Sequence, residues 1–471
     1  MFAYASEVLV WLGFDKPEYD QAFGISQEEC DLKTAVAGRS SIGYDSSWSS
    51  EFDRLFPDFD RGQVDSQLLD LLIHFVGEKW WYRIQTAREV VVQSRVFLMR
   101  GLSRVYNWID FFGLLDNLLQ RSVWRNIKTY MDYDTTLSTD SEIARHLFST
   151  RTLLTAQCRW RDKIQNPYVL RIEEWIYLFR FHYAERPRDR MFTLLNMSSD
   201  ARQQLLVVDY SQSTWKVFAR HAKYILERGI IDFMCLGTCK KPKAFQSLPS
   251  WVPDLSEAIL DRPIPLHLDT CLNQGHRLDS ASGSKSATAS TDRLLLHLMI
   301  NGVEITSIIA IAAVSMPTQS QGNRLLRDDR LEVWEQWKHF FAVHPCTAMC
   351  PICSGNPQAP HITNVLNADR YIDPQTRRFA RDGPSPRWTD DTRPTCPKYP
   401  NDEIPDYDPH YNLWWWTTLH RRPIRTVSGH LGLVPDFAQE GDMICVLYGC
   451  STPVVLRKNE DQTTYTFIGD W

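Results

Sequence analysis

Apolar and polar positions along the chain fall into three stretches of different period. From residue 1 to about 105 the pattern is α/β. Apolar runs at Val8 to Leu12 and at Arg95 to Met99 predict strands, and the spacing within Gln67 to Phe75 and Arg83 to Val92 predicts helices. Gly13 and Gly101 punctuate the two strands. From 106 to about 250 the apolar positions recur at helical spacing. Ile172, Trp175, Ile176 and Phe179 share one stripe, and Trp215, Phe218, Ala219, Ala222, Ile225 and Leu226 share another. Ser213 is placed to cap that second helix and Gly229 to end it. Pro187-Arg188-Asp189, ahead of Met191, Phe192, Leu194 and Leu195, predicts a helix with proline in its first turn.

After Trp251 the apolar runs shorten and turn residues separate them, which predicts a β-rich region over 251–471. Leu294 to Met316 reads as two strands at period two. His297, Asn301 and Glu304 interrupt it too often for a membrane span. Met443 to Tyr448, Pro453 to Leu456 and Tyr465 to Ile468 read as strands, the last one returning after the polar turn Lys458-Asn459-Glu460-Asp461. Two segments read as loops: Ser280 to Thr291, and a proline-rich stretch from about 346 to 409. The expected class is α+β, with an α/β part over 1–105, a helical part over 106–250 and a β-rich part over 251–471.

Composition adds that the chain folds: 43% of its 471 residues are hydrophobic and 23% charged, inside the globular range. Its 17 Trp, 18 Tyr and 22 Phe predict cores fastened by large aromatic rings. A net charge of -5 without a Lys/Arg block argues against nucleic acid as a partner. The apolar stretch Val8 to Phe14 has no cationic leader, and the 11 Cys have no framework spacing. Both features point to a cytoplasmic chain with reduced thiols.

The chain carries no P-loop, G-x-G-x-x-G, H-E-x-x-H or G-x-S-x-G pattern. Cys346, Cys350, Cys353 and His361 form a C-x3-C-x2-C-x7-H grouping with four potential zinc ligands. Structural zinc sites pair two short ligand units and this spacing does not, so loop thiols are the favoured reading and no cofactor is expected. Glu89, in the predicted helix Arg83 to Val92, has two readings: a general base or a carboxylate for a sugar hydroxyl, and a structural ion pair or cap.

Six segments, in order, resemble the fungal heterokaryon-incompatibility (HET domain) family. Met1-Phe2-Ala3-Tyr4-Ala5-Ser6-Glu7-Val8-Leu9-Val10-Trp11-Leu12-Gly13 is similar to the family's "IYSRA..VIVWLG", and Trp80-Trp81-Tyr82-Arg83 through Glu89-Val90 to its "WF.RVWV.QEV". Ala184 through Pro187-Arg188-Asp189 to Leu195 resembles "ATDPRDKVYALLG", Asp209-Tyr210-Ser211 resembles "DYS", and Leu248-Pro249-Ser250-Trp251-Val252-Pro253-Asp254 resembles "LPSWVPDW". Gly429 to Pro435, followed by Gly441-Asp442, Gly449-Cys450 and Pro453 to Arg457, resembles the family's C-terminal pattern. Gln85 stands where the family has Trp, and Arg88 where it has Gln.

The resemblance implies a signalling and interaction protein of fungal non-self recognition and regulated programmed cell death, with a protein partner. It also implies that 1–105 is the C-terminal part of a truncated HET domain, whose "YxALSYxWG" and "WIDxxCINQ" segments would precede Met1. The HET domain is in turn distantly similar to the Toll/interleukin-receptor (TIR) fold, some members of which cleave NAD through a glutamate. Loops on the absent strands would be needed to hold the nicotinamide ribose, so the resemblance implies no NAD cleavage by this chain alone. Completed by upstream sequence or a partner, Glu89 would be the residue in that role.

Overall fold

The computed structural model describes residues 8–11, 77–92, 96–100, 104–107, seven positions between 149 and 160, 170–202, 206–236, 248–256, 281–315, 326–347, 365, 371–372, 379–380, 418 and 420–471. Helices and strands are mixed along the chain, and the C-terminal region carries a curled sheet. Two compact units are present: Met1–Leu170 with Phe181–Glu185 and Asn196–Ser199, and Arg171–Arg180 with Arg186–Leu195 and Asp200–Trp471. The sequence pattern divides the helices before 250 from the strands after it, whereas the structure joins them.

In the first unit, β1 (Val8–Trp11) enters a three-stranded sheet. A 3₁₀ turn (Lys79–Tyr82) leads into α1 (Ile84–Val91), followed by β2 (Val96–Arg100) and β3 (Arg104–Asn107). β1 pairs parallel with β2, and β2 antiparallel with β3. A parallel pair demands a crossover connection, and α1 lies within it in sequence. Ile84, Ala87, Val90 and Val91 give α1 its buried face, while Arg88 points to solvent. Among the described strands β1 is an edge, with Val10 buried and Leu9 56% exposed. The predicted helix over Gln67 to Phe75 lies outside the described residues, as do Gly13 and Gly101.

The second unit opens with α2 (Ile172–Leu178), α3 (Pro187–Met197) and α4 (Thr214–Glu227). Pro187 takes the first position of α3, where its missing N–H costs nothing. In α4, Ser213 is the N-cap residue by backbone conformation, without a side-chain cap bond. Gly229, at φ +87°, closes the helix in a Schellman turn: its N–H reaches the Leu226 carbonyl at 2.8 Å and the Ile230 N–H reaches Ile225 at 3.4 Å. The buried face of α4 is wider than its apolar stripe, because Val217 and His221 join it while Trp215 stays half-buried. Glu173 on α2 and Arg228 after α4 form a two-point ion pair at 2.9 and 3.3 Å. Asp200 accepts from the Tyr224 hydroxyl at 2.7 Å and from the Ile172 N–H at 2.9 Å, which fixes the start of α2 to α4.

A 3₁₀ turn (Ile231–Cys235) follows α4 and contacts β13, and α4 itself contacts β4. These contacts make one unit of the helices and the C-terminal strands. The strands are β4 (Ala289–Thr291), β5 (Leu298–Ile300), β6 (Gly302–Ile311) and, after α5 (Leu326–Val343), the short pair β7 (Tyr371–Ile372) and β8 (Phe379–Ala380). Then come β9 (Arg421–Thr426), β10 (Leu431–Pro435), β11 (Met443–Leu447), β12 (Val454–Lys458) and β13 (Tyr465–Asp470). Six of them form an antiparallel sheet in the order β10-β9-β6-β11-β12-β13.

The sheet curls until its two end strands, β10 and β13, meet. Its interior holds Ile308, Ile424, Val434, Ile444, Val455 and Ile468. On the other face α5 packs Val333, Trp334, Trp337, Phe340 and Phe341 against Leu431 and Leu433. Strand β10 shows the division at period two, with Val434 inside and its odd-numbered neighbours under the helix.

Four readings of the sequence are corrected here. The β-rich region contains the 18-residue helix α5, whose signal was the helical spacing of Val333, Trp334, Trp337, Phe340 and Phe341. Of the stretch read as a loop from Ser280 to Thr291, the described part is irregular only from Ala281 to Thr288, because Ala289–Thr291 pairs with β5 through backbone bonds that need no apolar side chains. The strand expected from Leu294 starts at Leu298, because the Asp292 carboxylate accepts the Leu296 and His297 N–H groups and holds that stretch as a turn. The ribbon of β7 and β8 likewise lies within the stretch read as irregular from 346 to 409.

Arg421 and Asp470 are 1% and 0% exposed and pair at 2.6 Å, with a second bond from Arg421 to the Asp470 carbonyl at 3.3 Å. Removing one partner leaves an uncompensated buried charge. Asp470→Asn and Arg421→Ala should each cost about 3–5 kcal/mol in urea unfolding, and Arg421→Met with Asp470→Leu should recover part of that loss.

His221, 3% exposed, donates from Nδ1 to the Val217 carbonyl at 2.7 Å, and burial holds its pKa down at about 4. Below the ordinary value of 6.5 the unfolded chain therefore binds a proton that the folded chain refuses. Stability should fall as pH drops from about 6.5 to about 4, by at most about 3 kcal/mol. Urea midpoints across that range should show the slope, and His221→Phe should flatten it.

Candidate functional site

The Trp80 to Glu89 segment places one carboxylate in a defined surrounding. The 3₁₀ turn buries Trp81 completely and sets Trp80 edge-on to it, with ring centroids 4.9 Å apart. The Ile84 N–H reaches the Tyr183 carbonyl at 2.7 Å and the Tyr183 N–H reaches Tyr82 at 2.5 Å, so a parallel bridge anchors the start of α1. Glu89, in the second turn of α1, is half-buried and accepts a hydrogen bond from the Trp80 side chain. Burial raises its pKa above the ordinary carboxylate value, against the opposing pull of Arg83. Arg83 also pairs with Glu185 at 3.5 Å across an exposed surface. A carboxyl group raised in this way can exchange a proton closer to neutrality than a free glutamate.

In the second unit, segments distant in sequence meet. Arg188, in the first turn of α3, donates to the Tyr210 and Gln212 carbonyls at 2.8 and 2.7 Å, with its guanidinium 5.7 Å from the Tyr210 ring. Asp189 accepts from the Tyr210 hydroxyl, and Tyr210 lies edge-on to Phe192 at 4.9 Å. Asp209 turns the chain back on itself by accepting from Ser211 and Gln212, which depresses its own pKa. Arg190 is fully buried and donates to the Arg180 carbonyl at 3.4 Å. Its pKa falls to about 10 through desolvation, countered by the charge of Asp254. Trp251 is 5% exposed and donates from its indole to the Leu296 carbonyl at 3.2 Å, while the Ser250 hydroxyl accepts the Phe467 N–H of β13 at 3.0 Å.

Gly441 and Asp442 form the entry to β11. Arg457 of β12 grips the buried Asp442 with two parallel bonds, Nε to Oδ1 at 2.8 Å and Nη2 to Oδ2 at 2.9 Å, and also donates to the Phe437 carbonyl. Asp442 further accepts the Gln439 N–H. This pair is a structural clasp.

Of the remaining candidates, Trp11 lies on β1, Gly13 is outside the described residues, and Cys346 is half-buried beyond α5. Cys350, Cys353 and His361 are outside the described residues, within which three or more His, Cys, Asp or Glu nowhere gather in a metal-holding group. Sequence reasoning missed Arg190. Its signal was a lone charge at helical spacing from Leu194 and Met197, on a face otherwise apolar.

Comparison with known protein families, with curated proteins and with solved structures finds no match for this chain. Arg83 is the cation that holds the Glu89 pKa down, so Arg83→Gln should raise the Glu89 midpoint further. A carboxyl-resonance NMR titration checks this; an unmoved midpoint would show that the guanidinium contributes nothing.

Proposed function

We propose that the chain is a heterokaryon-incompatibility-type protein, a signalling and interaction module in fungal non-self recognition and regulated cell death, with no chemistry of its own. The observation that carries this reading is the mutual support of the motif segments. The Pro187-Arg188-Asp189 helix start binds Asp209-Tyr210-Ser211 through Arg188, and Asp254 of the Leu248 to Asp254 segment acts through its charge on the buried Arg190. Two of the segments that resemble the family are thus bonded to each other, and a third acts on the first through charge. On this reading the sheet of β1, β2 and β3 with α1 is the TIR-like part of a HET domain, and the chain works in the cytoplasm on a protein partner, not on nucleic acid. No helix among the described residues is long and apolar enough to cross a membrane.

Inducible expression in a filamentous fungus tests it. Growth arrest with vacuolated cells is the expected outcome, and normal growth at confirmed protein levels would overturn the reading.

Glu89 favours a second reading, a TIR-like NAD glycohydrolase completed by upstream sequence or a partner, because its raised pKa suits general acid-base work. Nicotinamide release from NAD separates the two. The assay is run on the chain completed by upstream sequence or a partner, where the first reading expects none. Release that disappears in Glu89→Gln would establish the second.

A further inference from the structure

The 3₁₀ turn Ile231–Cys235 and the turn joining β11 to β12 are held together at several points. Asp232 accepts the Ser451 N–H at 2.7 Å and the Ser451 hydroxyl at 2.6 Å. Gly449, at φ +87°, comes so close that a Cβ there would stand 3.1 Å from Ile231 Cγ1, and its N–H is bound to the Lys285 carbonyl. The Cys450 N–H closes the turn on Leu447 at 3.0 Å. Between these fixed points sit Cys235 and Cys450, 1% and 0% exposed, with their thiols hydrogen-bonded to one another. Two thiols in contact on backbones clamped on either side are arranged for a bond that requires little movement.

We propose that Cys235 and Cys450 are a redox modification site, forming a reversible disulfide when a peroxide reaches them. The Cys235 sulfur, as thiolate, attacks one peroxide oxygen; the O–O bond breaks, hydroxide leaves, and a sulfenic acid forms. The Cys450 sulfur then attacks that sulfur, making the S–S bond and breaking the S–O bond, with loss of water. In sum, two thiols are oxidised and one peroxide is reduced to two waters. With the thiols hydrogen-bonded to one another, burial and the Asp232 carboxylate raise both pKa values, and the same disulfide forms whichever sulfur attacks first. Both sulfurs are shielded from solvent, and oxidation therefore waits on opening of the β11 to β12 turn. The bond would tie the turn after α4 to the sheet across 214 intervening residues, 236 to 449, a long closure that restricts the unfolded chain.

The test is hydrogen peroxide treatment of the full chain, trapping of remaining thiols with N-ethylmaleimide, and peptide mapping without reductant. The expected result is a linked Cys235–Cys450 peptide together with a raised thermal midpoint, both reversed by dithiothreitol. Cys235→Ser and Cys450→Ser should each abolish the shift, and Cys445→Ser, on β11 beside Glu304, should keep it. Recovery of Cys235 and Cys450 as separately alkylated or separately over-oxidised residues, or linked to other cysteines, would overturn the proposal. That readout is made on the unsubstituted chain and does not depend on how the variants fold.

Discussion

The buried pair of Arg421 and Asp470 sets the shape of the second unit. In the order β10-β9-β6-β11-β12-β13 these residues belong to strands four steps apart. In a flat sheet that separation is roughly 19 Å, at about 4.8 Å per step. Their contact at 2.6 Å exists only because the sheet curls, and the curl creates the interior that Ile308, Val434, Ile444 and Val455 fill. Two charges with almost no exposure are tolerated because each is matched to the other, and no apolar pair would demand the same alignment of strand ends.

The same logic runs through other charged residues of the chain. Asp442 is held by Arg457, Arg188 caps a returning loop through carbonyl groups, and Arg190 lies in the interior under the influence of Asp254. Asp442 and Arg190 are buried charges, and each calls for an answering group from elsewhere in the chain. Such groups fix which segments meet, whereas the aromatic rings around them would pack in more than one way. These residues are therefore fasteners of the fold. Glu89 differs, because its surrounding raises a carboxyl pKa without neutralising it, and this property keeps a chemical role in view.

The pair of Cys235 and Cys450 adds a second kind of fastening at the point where α4 hands over to the sheet. Asp232 and Ser451 already hold the two turns in place, so oxidation would convert a hydrogen-bonded junction into a covalent one without rebuilding either side.

Periodicity by itself determined β1, β2, α1 to α4 and the last three strands, because in each a local run of apolar side chains must face one way to be buried. Local residue type also marked Pro187 and Gly229 as residues with backbone duties. It did not show that the Trp-rich helix α5 covers the sheet, although Val333, Trp334 and Trp337 carried that signal. Other features had no local trace at all. The partner of Arg421 lies 49 residues away, that of Cys235 215 residues away, and the parallel pairing of β1 with β2 spans 88 positions from Val8 to Val96. Tertiary structure alone decided these, since the free energy of a buried charge or thiol depends on what the fold brings beside it and not on its neighbours in sequence.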